Sequence, residues 1–148
     1  MARETDKDFL DALRDHGIKA TYERLAIYQA VYSSKGHPTV DVIYQLVKKR
    51  FPMISLGTVY KTLEKLYEVR LIQKVSPITD VVRYEPAAGR HHHLVCLECQ
   101  KILDVDAAAV EEPKITVIEQ SGFHVVRQQV ILHGYCSACR GNVADSEH

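Results

Sequence analysis

The chain has 148 residues, 46% apolar and 26% charged, with 19 Lys/Arg balanced by 19 Asp/Glu. That is the profile of an ordinary soluble globular protein, with room for one medium domain or two small ones. No run approaches the roughly 18 apolar residues of a membrane span, and the charged opening Met1–Asp6 is not a secretory signal, so the chain is expected to act in the cytoplasm. Zero net charge hides a split. Residues 1–83 hold 14 Lys/Arg against 10 Asp/Glu, and residues 84–148 hold 5 against 9, which points to phosphate contact in the first part and cation binding in the second.

Phe9, Leu10 and Leu13 predict a short amphipathic helix over 8–15, stopped by Gly17. Thr21 is a candidate N-cap for a second helix carrying Leu25, Ile27, Tyr28 and Val31, which ends near Lys35-Gly36. Beyond His37-Pro38, Thr39 caps a third helix with Val40, Ile43, Tyr44, Leu46 and Val47 on one face. Ser55 caps a fourth, with Val59, Leu63 and Leu66 at helical spacing. Three short helices before a longer capped one fit a helix-turn-helix. Strands over 71–75 and 81–85, joined by a turn over 76–80, add a wing. Residues 86–90 read as a hinge. After His91 the pattern turns to strands (94–95, 101–105, 125–132) around a helix from about Ala107 to Gln120 that Gly122 stops. The fold class is therefore α+β: a DNA-binding winged helix over 1–85, a hinge over 86–90, a second α/β domain over 91–140, and a loose tail over 141–148.

The four cysteines form two C-x-x-C pairs, Cys96/Cys99 and Cys136/Cys139, with 36 residues between them. In a reducing compartment, four such thiolates suit a closed tetrahedral Zn2+ site joining distant parts of one domain. A redox dithiol is the competing reading, but it needs one pair in a βαβ setting, not two. Arg90-His91-His92-His93 lies near Glu85, Asp104 and Asp106 in sequence. On a strand, His91 and His93 share a face and His92 points away. Imidazole with carboxylate suits Fe2+, Mn2+ or Zn2+, whereas the plain alternative is a surface histidine tract. His37 alone carries no functional signal.

With Gly17-Ile18-Lys19-Ala20-Thr21, His37-Pro38-Thr39, Ser55-Leu56-Gly57-Thr58-Val59-Tyr60, Arg83-Tyr84-Glu85, the His91–His93 cluster three residues ahead of Cys96, and both C-x-x-C pairs in this order, the chain resembles the ferric uptake regulator family of bacterial metal-dependent repressors, from about Leu10 to Cys139. The resemblance implies a homodimer whose C-terminal domain dimerises around structural zinc held by Cys96, Cys99, Cys136 and Cys139. It also implies a regulatory Fe2+ or Mn2+ held by His37, Glu85, His91, His93 and Asp104. An ion with ligands on both sides of a hinge biases the domain equilibrium by its differential affinity, and a closed dimer presents two recognition helices to the half-sites of a palindrome.

The peroxide-sensing branch of the family is the nearest likeness, because Asp stands at Asp104 where iron sensors usually carry Glu. In addition, the positions of a further iron-sensor site are Arg90, His92, Glu111 and Gln128, of which Arg90 and Gln128 are poor ligands. Glu85 is the contrary sign, since several peroxide sensors have Asp there, and iron-responsive repression is the alternative. For a peroxide sensor the resemblance implies that bound Fe2+ reacts with peroxide and oxidises His37 or His91, releasing metal and then DNA.

Tyr60 and Lys61, near the start of the fourth helix, are placed to read base edges. The family likeness adds Lys19 in the minor groove of an A/T-rich operator. Arg24 and Lys65 are assigned to phosphates, and Ser55 and Thr58 complete the DNA-contacting set. Glu23 stands where the family usually has Gln. Arg70 stands where it commonly has Gly, at a cost of about 1 kcal/mol if the left-handed conformation is kept. An enzyme is disfavoured because a catalytic zinc keeps an open position beside a base, and the four-cysteine set is closed. A metal-storage protein has no use for a winged helix.

Overall fold

The computed structural model describes residues 4–76, 81–111, 118, 120–125 and 128–142. Contacts divide the chain into two compact units, Met1–Ala88 and Gly89–His148. Among the described residues no helix is long and apolar enough to cross a membrane.

The first unit opens with α1 (Asp6–Asp15), which starts two residues earlier than the apolar pattern predicts. Thr5 and Asp8 explain the difference by forming a capping box: the Thr5 hydroxyl accepts from Asp8 N–H, and the Asp8 carboxylate accepts from Thr5 N–H at 2.7 Å. The Thr5 N–H and the Thr5 hydroxyl, both bonded to the Asp8 carboxylate, hold the Asp8 carboxyl below its ordinary pKa. Gly17, at φ +71°, closes the helix, with Ile18 N–H donating back to the Leu13 carbonyl at 2.8 Å. Helix α2 (Tyr22–Ser33) is capped by Thr21, α3 (Val40–Lys48) by Thr39, and α4 (Leu56–Glu68) by Ser55, each hydroxyl accepting a backbone N–H three residues on.

Helix α2 is the hub. It buries Leu25, Ala26, Ile27, Tyr28, Ala30 and Val31, and it packs on α1, α3, α4 and the strand Arg83–Pro86. Phe9, Tyr28 and Tyr32 meet edge to face with ring centroids 5.0 to 5.1 Å apart, which fastens α1 to α2. Burial raises the Tyr28 phenol well above its usual pKa. Strand β1 (Ile72–Val75) pairs antiparallel with β2 (Arg83–Pro86), Ile72 opposite Pro86 and Val75 opposite Arg83. The expected turn between them falls largely on residues 77–80, outside those described. The helix-turn-helix followed by a two-stranded wing is thus the observed architecture of this unit.

In the second unit a three-stranded sheet runs in the order β4 (Ile102–Asp106), β3 (His91–Cys96), β5 (Ile131–Gly134). Strand β3 pairs antiparallel with β4 and parallel with β5. Two sequence expectations change here. The strand expected over 125–132 is observed only as Ile131–Gly134. Just before it, Val130 N–H donates to the His92 ring at 3.3 Å and its carbonyl accepts from His93 N–H at 3.1 Å, so a side chain takes a bond that a longer ladder would use. Nor does the helix expected from Ala107 begin there. Ala107–Ala109 is one 3-10 turn capped by Asp106, and Val110 is extended. Pro113 two residues after Glu111 disfavours helix immediately ahead of it. Residues 112–117 and 119 lie outside the described set, while Ile118 and Gln120 are helical.

Candidate metal centres and nucleic-acid interface

The four cysteines come together within the second unit. All four sulfurs lie within 4.8 Å of one another, although the pairs sit at opposite ends of the unit's sequence. Cys96 ends β3, and the turn that follows it is tight: Gln100 N–H donates to the Cys96 carbonyl at 2.9 Å, and Gln100 takes φ +60°. Cys136 and Cys139 form a second such turn beyond β5, with Cys139 N–H donating to the Cys136 carbonyl at 3.0 Å. The parallel pairing of β5 beside β3 brings these turns together.

Four Zn–S bonds of about 2.3 Å arranged tetrahedrally set sulfurs about 3.8 Å apart, and Cys99 and Cys136 Sγ are 3.8 Å apart. The donor set therefore fits Zn2+. Backbone N–H groups already favour thiolates here. Those of Cys136 and Cys99 lower Cys96 to about 6, and that of Cys139 lowers Cys136. The crowded sulfurs push Cys139 up to about 12, chiefly through its contact with Cys136. Four adjacent thiols without a cation must share protons, which a bound metal displaces.

The histidine cluster lies on β3. The register places His93 opposite Asp104 and His91 opposite Asp106, so His91, His93 and Asp104 project from one sheet face. His93 Nε2 is 3.4 Å from Asp104 Oδ1, and His91 Nε2 is 3.9 Å from the same oxygen. The two rings stand edge to face at 4.9 Å. His93 is fully buried, and the Gln129 side-chain amide lies 3.1 Å from its Nδ1. That contact orients the ring and leaves Nε2 facing the carboxylate; ligation through Nε2 calls for Nδ1–H to donate, which the Gln129 amide accepts when its oxygen rather than its nitrogen faces the ring. His92 points to the other face, buried, where its Nδ1 accepts from Val130 N–H. This bond withdraws that nitrogen from any site with Arg90, Glu111 and Gln128.

In the first unit, His37 and Glu85 form a second donor group. Both are buried, and His37 Nε2 is 3.0 Å from Glu85 Oε2. A buried imidazole beside a buried carboxylate suits a hard or borderline divalent cation. His37 adopts φ +60°, a conformation costing about 1 kcal/mol or more in a residue with a side chain. Strain at a donor is often functional.

The predicted DNA-reading residues divide on inspection. Helix α4 buries Val59, Thr62, Leu63 and Leu66, while Tyr60 stays 45% exposed on the outer face with Lys61. Ser55 and Thr58 are engaged with each other: Ser55 Oγ accepts from Thr58 N–H at 3.1 Å, and the two hydroxyls are 2.9 Å apart. Arg24 Nη1 donates to the Lys19 carbonyl at 2.9 Å, so one arm of its guanidinium shapes the loop that presents Lys19. Lys65 forms an exposed ion pair with Glu68 at 3.7 Å. Lys74 of β1 bonds Glu64 at 2.7 Å and lies 4.4 Å from the Tyr67 ring centroid, tying the wing to α4.

Residues 15–133 match the sequence profile of the ferric uptake regulator family. The chain belongs to this family. It is similar to the transcriptional regulator FurA of Mycobacterium tuberculosis, 35% identical over 133 residues that make up 89% of this chain and 90% of that one. It is also similar to the peroxide operon regulator of Bacillus subtilis, 30% identical over 139 residues, or 94% and 96% of the two chains. In fold it resembles the Helicobacter pylori ferric uptake regulator, with a TM-score of 0.77 at 22% identity over 99% and 100% of the two chains.

Two features of this ferric uptake regulator family member were not anticipated from its sequence. Leu94 of β3 stands opposite Leu103 of β4 and beside Leu132 of β5, all 36 to 44% exposed, giving a leucine row on the sheet face away from His93. These leucines stand on three separate strands and become a row only once register is known. The other is Arg83, whose side chain donates to the His37 carbonyl at 3.1 Å.

Proposed function

We propose that the protein is a homodimeric, metal-dependent transcriptional repressor that binds palindromic, A/T-rich double-stranded DNA and releases it in response to peroxide. In this reading residues 1–85 form the DNA-binding domain, 86–90 the hinge, and 91–140 the dimerisation and metal-binding domain. Cys96, Cys99, Cys136 and Cys139 hold one structural Zn2+. His37, Glu85, His91, His93 and Asp104 hold one regulatory Fe2+ or Mn2+. The observation that carries the reading is the grouping of His91, His93 and Asp104 on one sheet face, with a buried His37–Glu85 pair in the DNA-binding unit. The leucine row on the opposite face supplies apolar area for a second copy of the chain.

Each side chain has a distinct part. His93, pinned by Gln129, and His91 offer imidazole nitrogens; Asp104 and Glu85 offer oxygens and balance the cation's charge. His37 links the metal state to the DNA-reading unit. A bound Fe2+ would supply the electrons for peroxide reduction, and His37 and His91 are the nearby rings exposed to that chemistry. Tyr60 and Lys61 read the operator, Lys19 enters its minor groove, and Arg24 and Lys65 meet phosphates. The donor at Asp104 and the bonded state of His92 favour the peroxide reading; Glu85 favours an iron-responsive repressor, the second reading.

Operator binding with Fe2+ or Mn2+, each with and without micromolar hydrogen peroxide, tests this. Release by peroxide in the iron form alone, with added oxygen on His37 or His91 by mass spectrometry, is expected. Unmodified histidines after that treatment would leave the iron-responsive reading. His93→Ala should lose the metal dependence of DNA binding while keeping its zinc; an unchanged metal response would remove the whole regulatory site.

A further inference from the structure

We propose that Arg83 is a positioning residue for His37: its guanidinium holds the His37 main chain so that the imidazole stays aimed at Glu85. The inference rests on the reading of His37 as a ligand of the regulatory ion.

The need for such a residue is local. Pro38 disfavours all but extended backbone in the residue before it, yet His37 takes φ +60°, directly after Gly36 at φ +93°. A strained, pre-proline residue stays put only when its surroundings hold it. The first unit supplies two holds, both from β2. Arg83 Nη1 donates to the His37 carbonyl at 3.1 Å. Tyr84 N–H donates to the Pro38 carbonyl at 2.9 Å, as part of the isolated antiparallel bridge of Thr39 with Arg83.

Strand period does the rest. Arg83 and Glu85 are two residues apart and project from one face of β2, while Tyr84 between them is buried on the other side. His37 therefore meets the same face twice, its carbonyl at Arg83 and its ring at Glu85, 3.0 Å from the carboxylate. A charged donor on a carbonyl is stronger than a neutral one and directional. The strand thus sets both the backbone and the ring direction of the ligand, ahead of any ion.

The test uses the full-length, zinc-loaded protein and four variants: Arg83→Met, Arg83→Lys, His37→Ala and the double Arg83→Met/His37→Ala. Mn2+ affinity by calorimetry is read beside zinc content, thermal melting and the His37 ring nitrogens by NMR in protein loaded with zinc alone. Arg83→Met should weaken Mn2+ about 10- to 100-fold, as loss of a ligand-orienting partner does, and should shift the His37 ring signals. Arg83→Lys, which keeps a cationic donor, should recover part of both.

The double variant should bind no more weakly than His37→Ala alone, because Arg83 acts through that ring. Wild-type Mn2+ affinity and unshifted ring signals in Arg83→Met would overturn the proposal, as would losses that multiply in the double variant. If His37→Ala itself binds Mn2+ normally, the ligand reading fails, and the ring signals of the Arg83 variants still decide the positioning role. Should Arg83→Met lose its cooperative melt, Arg83→Lys carries the test: a normal fold with unmoved ring signals and partial affinity loss counts against Arg83.

Discussion

The two units of the chain are held together by different physics. The first encloses one continuous apolar cluster drawn from all four helices and the wing, with Leu13, Ile27, Val31, Ile43, Val59, Leu63 and Leu66 fully buried. Among the described residues of the second, the buried apolar side chains are Val95, Cys96 and Ile102, beside the two buried histidines His92 and His93. Leu94, Leu97, Leu103, Leu132 and Tyr135 remain substantially exposed. One unit folds by removing hydrocarbon from water; the other leans on thiolates gathered for a cation and on a face suited to a second copy. In the proposed reading the regulatory donors are divided between the two, His91, His93 and Asp104 on the second unit and His37 and Glu85 on the first, which also carries the proposed DNA-reading residues.

The largest way to break that contrast is to remove zinc. Structural zinc in small domains contributes about 10–16 kcal/mol of apparent binding energy that is also folding energy. Cys96→Ser, or a strong chelator, is expected to abolish zinc content and the dimer by sedimentation while leaving the helical circular dichroism of the first unit largely in place. Collapse of both units in one transition would show that they are not separately supported. The converse is Leu63→Ala, which hollows the fully buried centre beneath α4. It should destabilise the first unit by about 2–5 kcal/mol and leave zinc stoichiometry at the wild-type value; loss of zinc in this variant would contradict the division.

The contrast also explains which parts were legible in advance. Helix starts were readable because a Thr or Ser cap acts over three residues of sequence, as at Thr21, Thr39 and Ser55. Thr5-x-x-Asp8 carries the same signal, but it lies ahead of the first apolar residue of the helical pattern. The cysteine grouping was readable because C-x-x-C encodes its own turn. What depended on register was not: the Leu94, Leu103 and Leu132 row needs β5 placed parallel to β3, and the Arg83–His37 contact joins positions 46 residues apart. His37 carried no signal of its own beyond the family likeness. At Ala107–Ala109 the expected helix gives way to one 3-10 turn with Pro113 close behind, although Ile118 and Gln120 are helical, and ahead of Ile131 a histidine ring competes for the backbone of the expected strand.

The smallest effect tests the first unit by strengthening it. Helix α4 ends with Leu71 N–H donating to the Leu66 carbonyl at 2.9 Å and with Arg70 at φ +63°, the closing geometry in which glycine is usual. An L side chain there costs roughly 1–2 kcal/mol, while glycine costs up to about 1 kcal/mol through the freedom it restores to the unfolded chain. Arg70→Gly should therefore raise first-unit stability by about 0.5–1 kcal/mol, visible as a melting temperature a few degrees higher, with zinc and Mn2+ binding unchanged. Arg70→Ala separates the causes, since it removes the exposed guanidinium but keeps the strained backbone and should melt like wild type. If Arg70→Gly melts lower and Arg70→Ala falls with it, the arginine side chain outweighs its own strain, and the end of α4 is held by a contact rather than by its turn.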